Sequence, residues 1–203
     1  PRRFDGVRQR AADDVVVGFV GTIRAWHGVE TLVDAFAMLH ADRPASRLLI
    51  VGGGPSAAAI QQRIGDASLG SVTEMTGSVD SDRIPELIEA MDIAVAPYPE
   101  LEGFYFSPLK LFEYMAAQRA IVASDIGQIG RVVAHEREAL LTAPGDVEAL
   151  AAALRRLYDD GALRDRLGRS AARVVRSRYT WDAVATRIID IAGAHARDVA
   201  EAS

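Results

Sequence analysis

Lys110 and Glu113 stand three residues apart in the stretch SPLKLFEYMAAQRAIVASD, Ser107 to Asp125. The stretch reads as a helix followed by a buried strand. Ser107 suits the N-cap, where its hydroxyl accepts from a free backbone N–H. Pro108 suits the first helical position, where its missing N–H costs nothing. At about 100° per residue, Leu109, Leu111, Phe112, Met115 and Ala116 fill one wide apolar arc. Lys110, Glu113, Tyr114 and Ala117 share the remaining side. One reading of Lys110 and Glu113 is a solvated ion pair, worth about 0.2–0.5 kcal/mol. The other uses the helix start, whose free N–H groups favour an anion. Arg24 and His27, in the loop Gly21 to Gly28, offer two further cations. Three cations, backbone donors and one carboxylate suit a phosphate attached to a hydroxyl-bearing sugar.

These residues meet only if the elements around them bring them to one place. The short continuous apolar run at 15–20 reads as a strand buried on both faces, and further strands are expected at 47–51, 72–76, 93–96, 120–124 and 139–141. Helices are expected at 29–40, 56–64, 83–91, from Pro108 onward, for one turn at 132–135, and at 147–158, 162–177 and 181–197. Thr180 is the candidate N-cap of the last. Strands alternating with helices predict an α/β fold: a Rossmann-like, doubly wound, mostly parallel six-stranded sheet with helices on both faces and a helical C-terminal extension. One domain is expected over 14–197, with tails at 1–13 and 198–203. In such sheets ligands bind beyond the carboxyl ends of the strands, at the switch point of strand order. Arg24, His27, Lys110 and Glu113 all follow strands and so converge on that rim.

The totals narrow the chemistry. A net charge of −5 gives no reason to expect nucleic acid or an anionic membrane as partner. With no cysteine, disulfides and thiolate metal sites are excluded. The four histidines lack metal-ligand spacing. No apolar run approaches the roughly 20 residues a membrane helix needs. No signal peptide is visible, and a cytoplasmic location is expected. The chain begins at Pro1, which suggests a fragment or a processed product.

Several features have a plain reading beside the chemical one. Gly52-Gly53-Gly54-Pro55 is either a turn or a ligand-facing loop, and it matches neither the GxGxxG fingerprint nor a Walker loop. His27 alone is a solvated loop histidine. Trp26 is expected to anchor packing. Asp80-Ser81-Asp82 has the form of a metal-binding pair, but Asp and Ser are preferred as caps, and capping of the next helix is expected. Glu102 is a carboxylate without a fixed partner.

The order of elements resembles a known family. GGGP, then VTEMTGSVDSDRIPELIEAMDIAVAPY, then SPLKLFEYMAAQRAIVASDIGQI, are similar to the C-terminal half of GT-B glycosyltransferases, in the group 1, family 4 branch. The resemblance covers about Val15 to Ala192. It implies a donor domain that binds a nucleotide diphosphate sugar (UDP-, GDP- or ADP-linked), while a separate N-terminal domain holds the acceptor. It also implies transfer with retention of configuration, with no metal and no cofactor besides the nucleotide-sugar substrate.

By the resemblance, Glu113 takes the ribose hydroxyls, and the backbone of Ser107, Pro108 and Leu109 takes the phosphates. The same motif places Tyr105 and Phe106 at the donor. Arg24, His27 and Lys110 stabilise the leaving diphosphate. Gly21, Gly53 and Gly54 border the donor, and Gly77, Ser78 and Val79 touch the base. Two departures stand out. The family's first motif glutamate falls on Tyr105, and Glu102 lies three residues too early. The usual basic pair of the first loop is replaced by Gly21-Thr22 and His27-Gly28, a loss for which Arg24, His27 and Lys110 compensate. Two other functions remain open: a non-catalytic nucleotide-sugar-binding module, favoured by Tyr105, and a sugar-nucleotide epimerase of similar architecture.

Overall fold

The computed structural model describes residues 14–103, 109–180, and 182, 183, 185, 186 and 189. Six strands alternate with helices: β1 (Val15–Val20), α1 (Val29–Asp42), β2 (Ser46–Val51), α2 (Ala57–Asp66), β3 (Thr73–Met75), α3 (Ile84–Glu89), β4 (Ile93–Ala96), α4 (Leu109–Ala116), β5 (Ala120–Ser124), α5 (Ile129–Val132), β6 (Leu140–Thr142), α6 (Val147–Asp159) and α7 (Gly161–Arg178). The sheet order is β3-β2-β1-β4-β5-β6, with every strand pairing parallel. This is the doubly wound order expected from the strand–helix alternation. Among the described residues no helix is long and apolar enough to cross a membrane.

Alternation along β1 explains the two-sided burial. Val15, Val17 and Phe19 join the cluster formed with α1, α2 and α6. Val20 joins the opposite cluster, formed with α3, α4 and the later part of α7. A strand covered on both faces needs no polar residue, which is why VVVGFV reads as an unbroken apolar run. Caps punctuate the C-terminal helices. The Asp146 carboxylate accepts from Ala149 N at 2.8 Å and opens α6. Asp160 accepts from Leu163 N at 2.8 Å and opens α7. Thr180 Oγ1 accepts from Ala183 N at 3.2 Å, as its candidate role required.

Three expectations are corrected. The helical turn near 132–135 lies instead at Ile129–Val132, because Ile129 is drawn into the core and Val133 has turned extended. Asp80 precedes a 3-10 turn (Ser81–Arg83), but its carboxylate makes no capping hydrogen bond; its backbone carbonyl accepts from Arg83 N at 3.0 Å instead. The buried arc of α4 is rotated from the one drawn on the sequence. Leu109 is 69% exposed and Ala116 is exposed, whereas Tyr114 is fully buried beside Leu111 and Met115.

Helix α7 lies against the turn between α4 and β5 at a glycine. A Cβ at Gly168 would stand 2.2 Å from the carbonyl oxygen of Gln118. That neighbour is backbone and cannot swing aside. Alanine normally strengthens a helix by about 1 kcal/mol over glycine. Here Gly168→Ala is expected to destabilise by about 1–3 kcal/mol, because the two elements must part. Chemical denaturation checks the sign; a stabilised variant would refute the close contact.

Candidate functional site

The site lies where β1 and β4 separate. Their register covers Val17↔Ile93 and Gly18↔Ala94. Beyond these pairs the strand ends part, and the Tyr114 hydroxyl fills the gap. It accepts from Val20 N at 2.8 Å and donates to Val95 O at 3.4 Å. Burial pushes the Tyr114 phenol far above its ordinary range, so it stays a neutral donor and acceptor. The crevice beyond the β1 and β4 ends is the switch point of the sheet, since α1 carries the chain from β1 one way and β4 lies on the other side.

A cavity of about 290 Å³ opens there. Val20, Gly21 and Thr22 form one side, with Trp26 and His27 from the same loop. Tyr98 comes from the segment after β4; Leu109, Lys110 and Glu113 come from α4. Lys110 Nζ is buried and has no hydrogen-bond partner among the described residues. It lies 4.1 Å from the centroid of the Phe19 ring and 5.3 Å from that of Tyr98. Burial lowers its pKa to about 7, with Glu113 pulling the other way. The solvated Lys110–Glu113 pair is therefore not what forms: Nζ turns inward and makes no hydrogen bond to Glu113. Glu113 sits at the rim, with its own pKa raised first by burial and lowered in part by Lys110. Gly21 makes room for the amine. It has φ +145°, and a Cβ there would stand 3.0 Å from Nζ.

His27 is positioned by its own loop. Nδ1 meets the carbonyl oxygen of Thr22, so Nδ1 carries the proton and donates. The ring centroid lies 6.0 Å from those of Phe19, Trp26 and Tyr98. Burial, then the charges of Lys110 and Arg24, lower its pKa to about 4, against the Thr22 bond, which raises it. The expectation of a standing cation is corrected: in the free protein His27 is neutral at pH 7. Arg24 places its guanidinium 4.8 Å from the Trp26 ring centroid. Trp26 is 36% exposed and lines the cavity, so it is not the buried anchor expected of a tryptophan.

The remaining candidates lie apart from this cavity. Gly53 packs on the loop after β3, where a Cβ would meet Ser78 Oγ at 2.7 Å. Gly54 has φ +154° and abuts the backbone of Ile23. Ile23 N donates to Gly53 O at 2.8 Å, and Gly52 N donates to Gly77 O at 3.1 Å. The triple glycine thus zips the loops after β1, β2 and β3 together, with Gly77, Ser78 and Val79 on its far side. Tyr105, Phe106, Ser107 and Pro108 lie outside the described residues. Glu102 is exposed. Among the described residues no group of three His, Cys, Asp or Glu side chains is arranged to hold a metal ion.

Three residues of the site were not singled out from sequence: Phe19, Tyr98 as a ring over the lysine, and Tyr114 as the link between strand ends. One signal for the site was present. Of the 23 lysines and arginines in the chain, Lys110 is the only lysine.

The family description "Glycosyl transferases group 1" matches residues 14–160. The α-D-kanosaminyltransferase of Streptomyces kanamyceticus is 28% identical over 181 residues, 88% of this chain and 45% of that protein. The D-inositol 3-phosphate glycosyltransferase of Jonesia denitrificans is 32% identical over 185 residues, 88% of this chain and 42% of that protein. The chain thus spans less than half the length of these relatives. Among solved structures, the C-terminal domain of a group 1 family glycosyl transferase from Francisella tularensis superposes with a TM-score of 0.72 at 22% identity, over 82% of this chain and 87% of that one. HepE from Anabaena, in complex with UDP, superposes with a TM-score of 0.81 at 22% identity, over 90% of this chain and 50% of that one. The parallel sheet, the crevice at its switch point and the match across residues 14–160 agree: the chain belongs to the group 1 glycosyl transferases and has the fold of a GT-B C-terminal domain.

Proposed function

We propose that this chain binds the nucleotide sugar of a retaining, metal-independent glycosyl transfer, with the acceptor held by a separate N-terminal domain. The observation that carries this reading is Lys110: a buried amine with no hydrogen-bond partner among the described residues, in a cavity at the switch point, one helical turn from a rim carboxylate. A diphosphate placed there would supply the missing partner, and Glu113 would accept hydrogen bonds from ribose hydroxyls. The Anabaena relative bound to UDP supports the same class of ligand.

In the proposed reaction the bond from the sugar C1 to the diphosphate oxygen breaks as the acceptor oxygen bonds to C1 on the same face. The acceptor proton passes to the departing phosphate. Charge grows on that phosphate in the transition state. Donors already in place there are worth about 3 kcal/mol each. Lys110 is the cavity group suited to this role, charged once an anion faces it; His27, neutral at pH 7 with Nδ1 on the Thr22 carbonyl, lines the same cavity. Arg24, held on Trp26 at the mouth, adds long-range attraction.

A thermal-shift screen against UDP-, GDP- and ADP-sugars tests the reading. A ligand at 100 times its Kd adds about 2.7 kcal/mol of stability. Glu113→Ala is expected to weaken the responding ligand by an order of magnitude or more, because a carboxylate hydrogen bond is worth about 1.5–3 kcal/mol. Calorimetry reads the affinity. Unchanged binding would remove Glu113 from the site, and no response to any sugar nucleotide would overturn the function.

A further inference from the structure

Among its 23 lysines and arginines the chain uses arginine everywhere but at Lys110, whose Nζ is buried. Arginine keeps its charge in any protein environment; lysine can give it up. We propose that Lys110 is a neutral amine in the free protein above neutral pH and takes up a proton when a phosphate group enters the cavity, so that donor binding is coupled to proton uptake at Nζ. The inference rests on the donor-binding reading above and adds to it how the site recognises an anion.

The surroundings of Nζ support a neutral resting state. The faces of Phe19 and Tyr98 attract a cation, at 4.1 Å and 5.3 Å, but more weakly than the water it has lost. Tyr98 and Tyr114 are phenols that burial keeps protonated and uncharged. From the loop after β1, His27 is neutral, and Arg24 carries a like charge on the Trp26 face. On α4 itself, Glu113 is the one acid facing the amine, and it makes no hydrogen bond to it. Burial accordingly lowers the amine to about 7. A phosphate beside Nζ reverses the balance. Its charge and its oxygens favour the ammonium form, and the proton comes from solvent. Nζ then becomes a charge-assisted donor only for ligands that bring an anion, so a nucleoside without phosphates does not load it.

The experiment is calorimetric titration with whichever of UDP-glucose, GDP-mannose and ADP-glucose binds, in pairs of buffers with different ionisation enthalpies. These diphosphate diesters keep their phosphate charge across the range used. Near pH 6 the amine is already charged, and proton uptake at Lys110 should be small. Near pH 8.5 about one proton should be taken up per ligand, and affinity should fall about tenfold per pH unit above pH 7. Lys110→Met should abolish this uptake and flatten the slope, while His27→Gln should keep both. Wild-type uptake absent near pH 8.5, or uptake equal in Lys110→Met, would overturn the proposal even though the ligand binds. If none of the three sugars binds the wild type, the donor-binding reading falls first.

Discussion

Lys110→Met is expected to make the free protein more stable and its ligand affinity lower. Methionine is close to lysine in length and makes favourable sulfur–aromatic contacts, which Phe19 and Tyr98 can provide. The substitution removes a buried amine that has no partner among the described residues. The size of the gain depends on pH. The folded pKa of Lys110 is lowered to about 7, below that of an exposed lysine, so the unfolded chain binds the extra proton between the two values. Wild-type stability therefore rises with pH across that window, and the lysine's cost is greatest below pH 7. Ionisation alone makes that cost of order 4 kcal/mol at pH 7, shrinking by about 1.4 kcal/mol per pH unit toward pH 10. Denaturant unfolding of both proteins near pH 7 and pH 9 measures the gap. A gap that does not shrink would show that the amine is not desolvated in the fold. In the same variant, loss of a charged donor to phosphate should weaken the nucleotide sugar by about 10- to 150-fold at pH 7. Stability and affinity moving in opposite directions is the mark of a residue kept for binding.

Tyr114→Phe is expected to cost about 1–3 kcal/mol, the penalty for leaving a buried donor without an acceptor. The hydroxyl accepts from Val20 N and donates to Val95 O, and no neighbouring strand serves Val20 N in its place. The ring itself is retained, so packing against α4 and the strands is preserved. Thermal unfolding should shift by roughly 2–4 °C per kcal/mol for a chain of this size. Hydrogen exchange at the Val20 amide should accelerate. The consequence extends to the site, because Val20 leads into Gly21 and Thr22, and the Thr22 carbonyl holds His27. Ligand affinity should therefore fall as well. Full stability with slow exchange at Val20 would mean another group satisfies that amide.

The positions of β1, β4 and β5 were legible because these central strands are buried on both faces, unlike the half-exposed edge strand β3. Such burial demands an apolar run whatever a strand's neighbours are, and β1, β4 and β5 fall within the residues expected. Short boundary elements were less legible. The one-turn helix α5 is set by where Ile129 reaches the core rather than by its own periodicity. For α4 the apolar pattern misplaced the buried face. A tyrosine and a lysine read as polar on a helical wheel, yet both point inward, one to serve strand ends and the other to face a cavity. The opposite error occurred at Trp26. Size and apolarity suggested burial, but the short loop before α1 holds the indole at the surface with Arg24 against it. The triple glycine was ambiguous between turn and ligand loop. Its described hydrogen bonds join it to the backbones of Ile23 and Gly77, partners far away in sequence.

By itself the sequence determined the doubly wound sheet, the rim on which chemistry would gather, and the candidates Arg24, His27, Lys110 and Glu113. Those follow from local apolar runs and from the rule that loops after parallel strands share one edge. Only the tertiary structure decided the charge states. A lysine and a histidine written in a sequence carry their solution pKa values. The fold removed water from both, placed rings around the amine, and left Nζ without a hydrogen-bond partner among the described residues. Desolvation depends on what packs from other elements, here Phe19 of β1 and Tyr98 after β4. No local pattern around Lys110 contains that information.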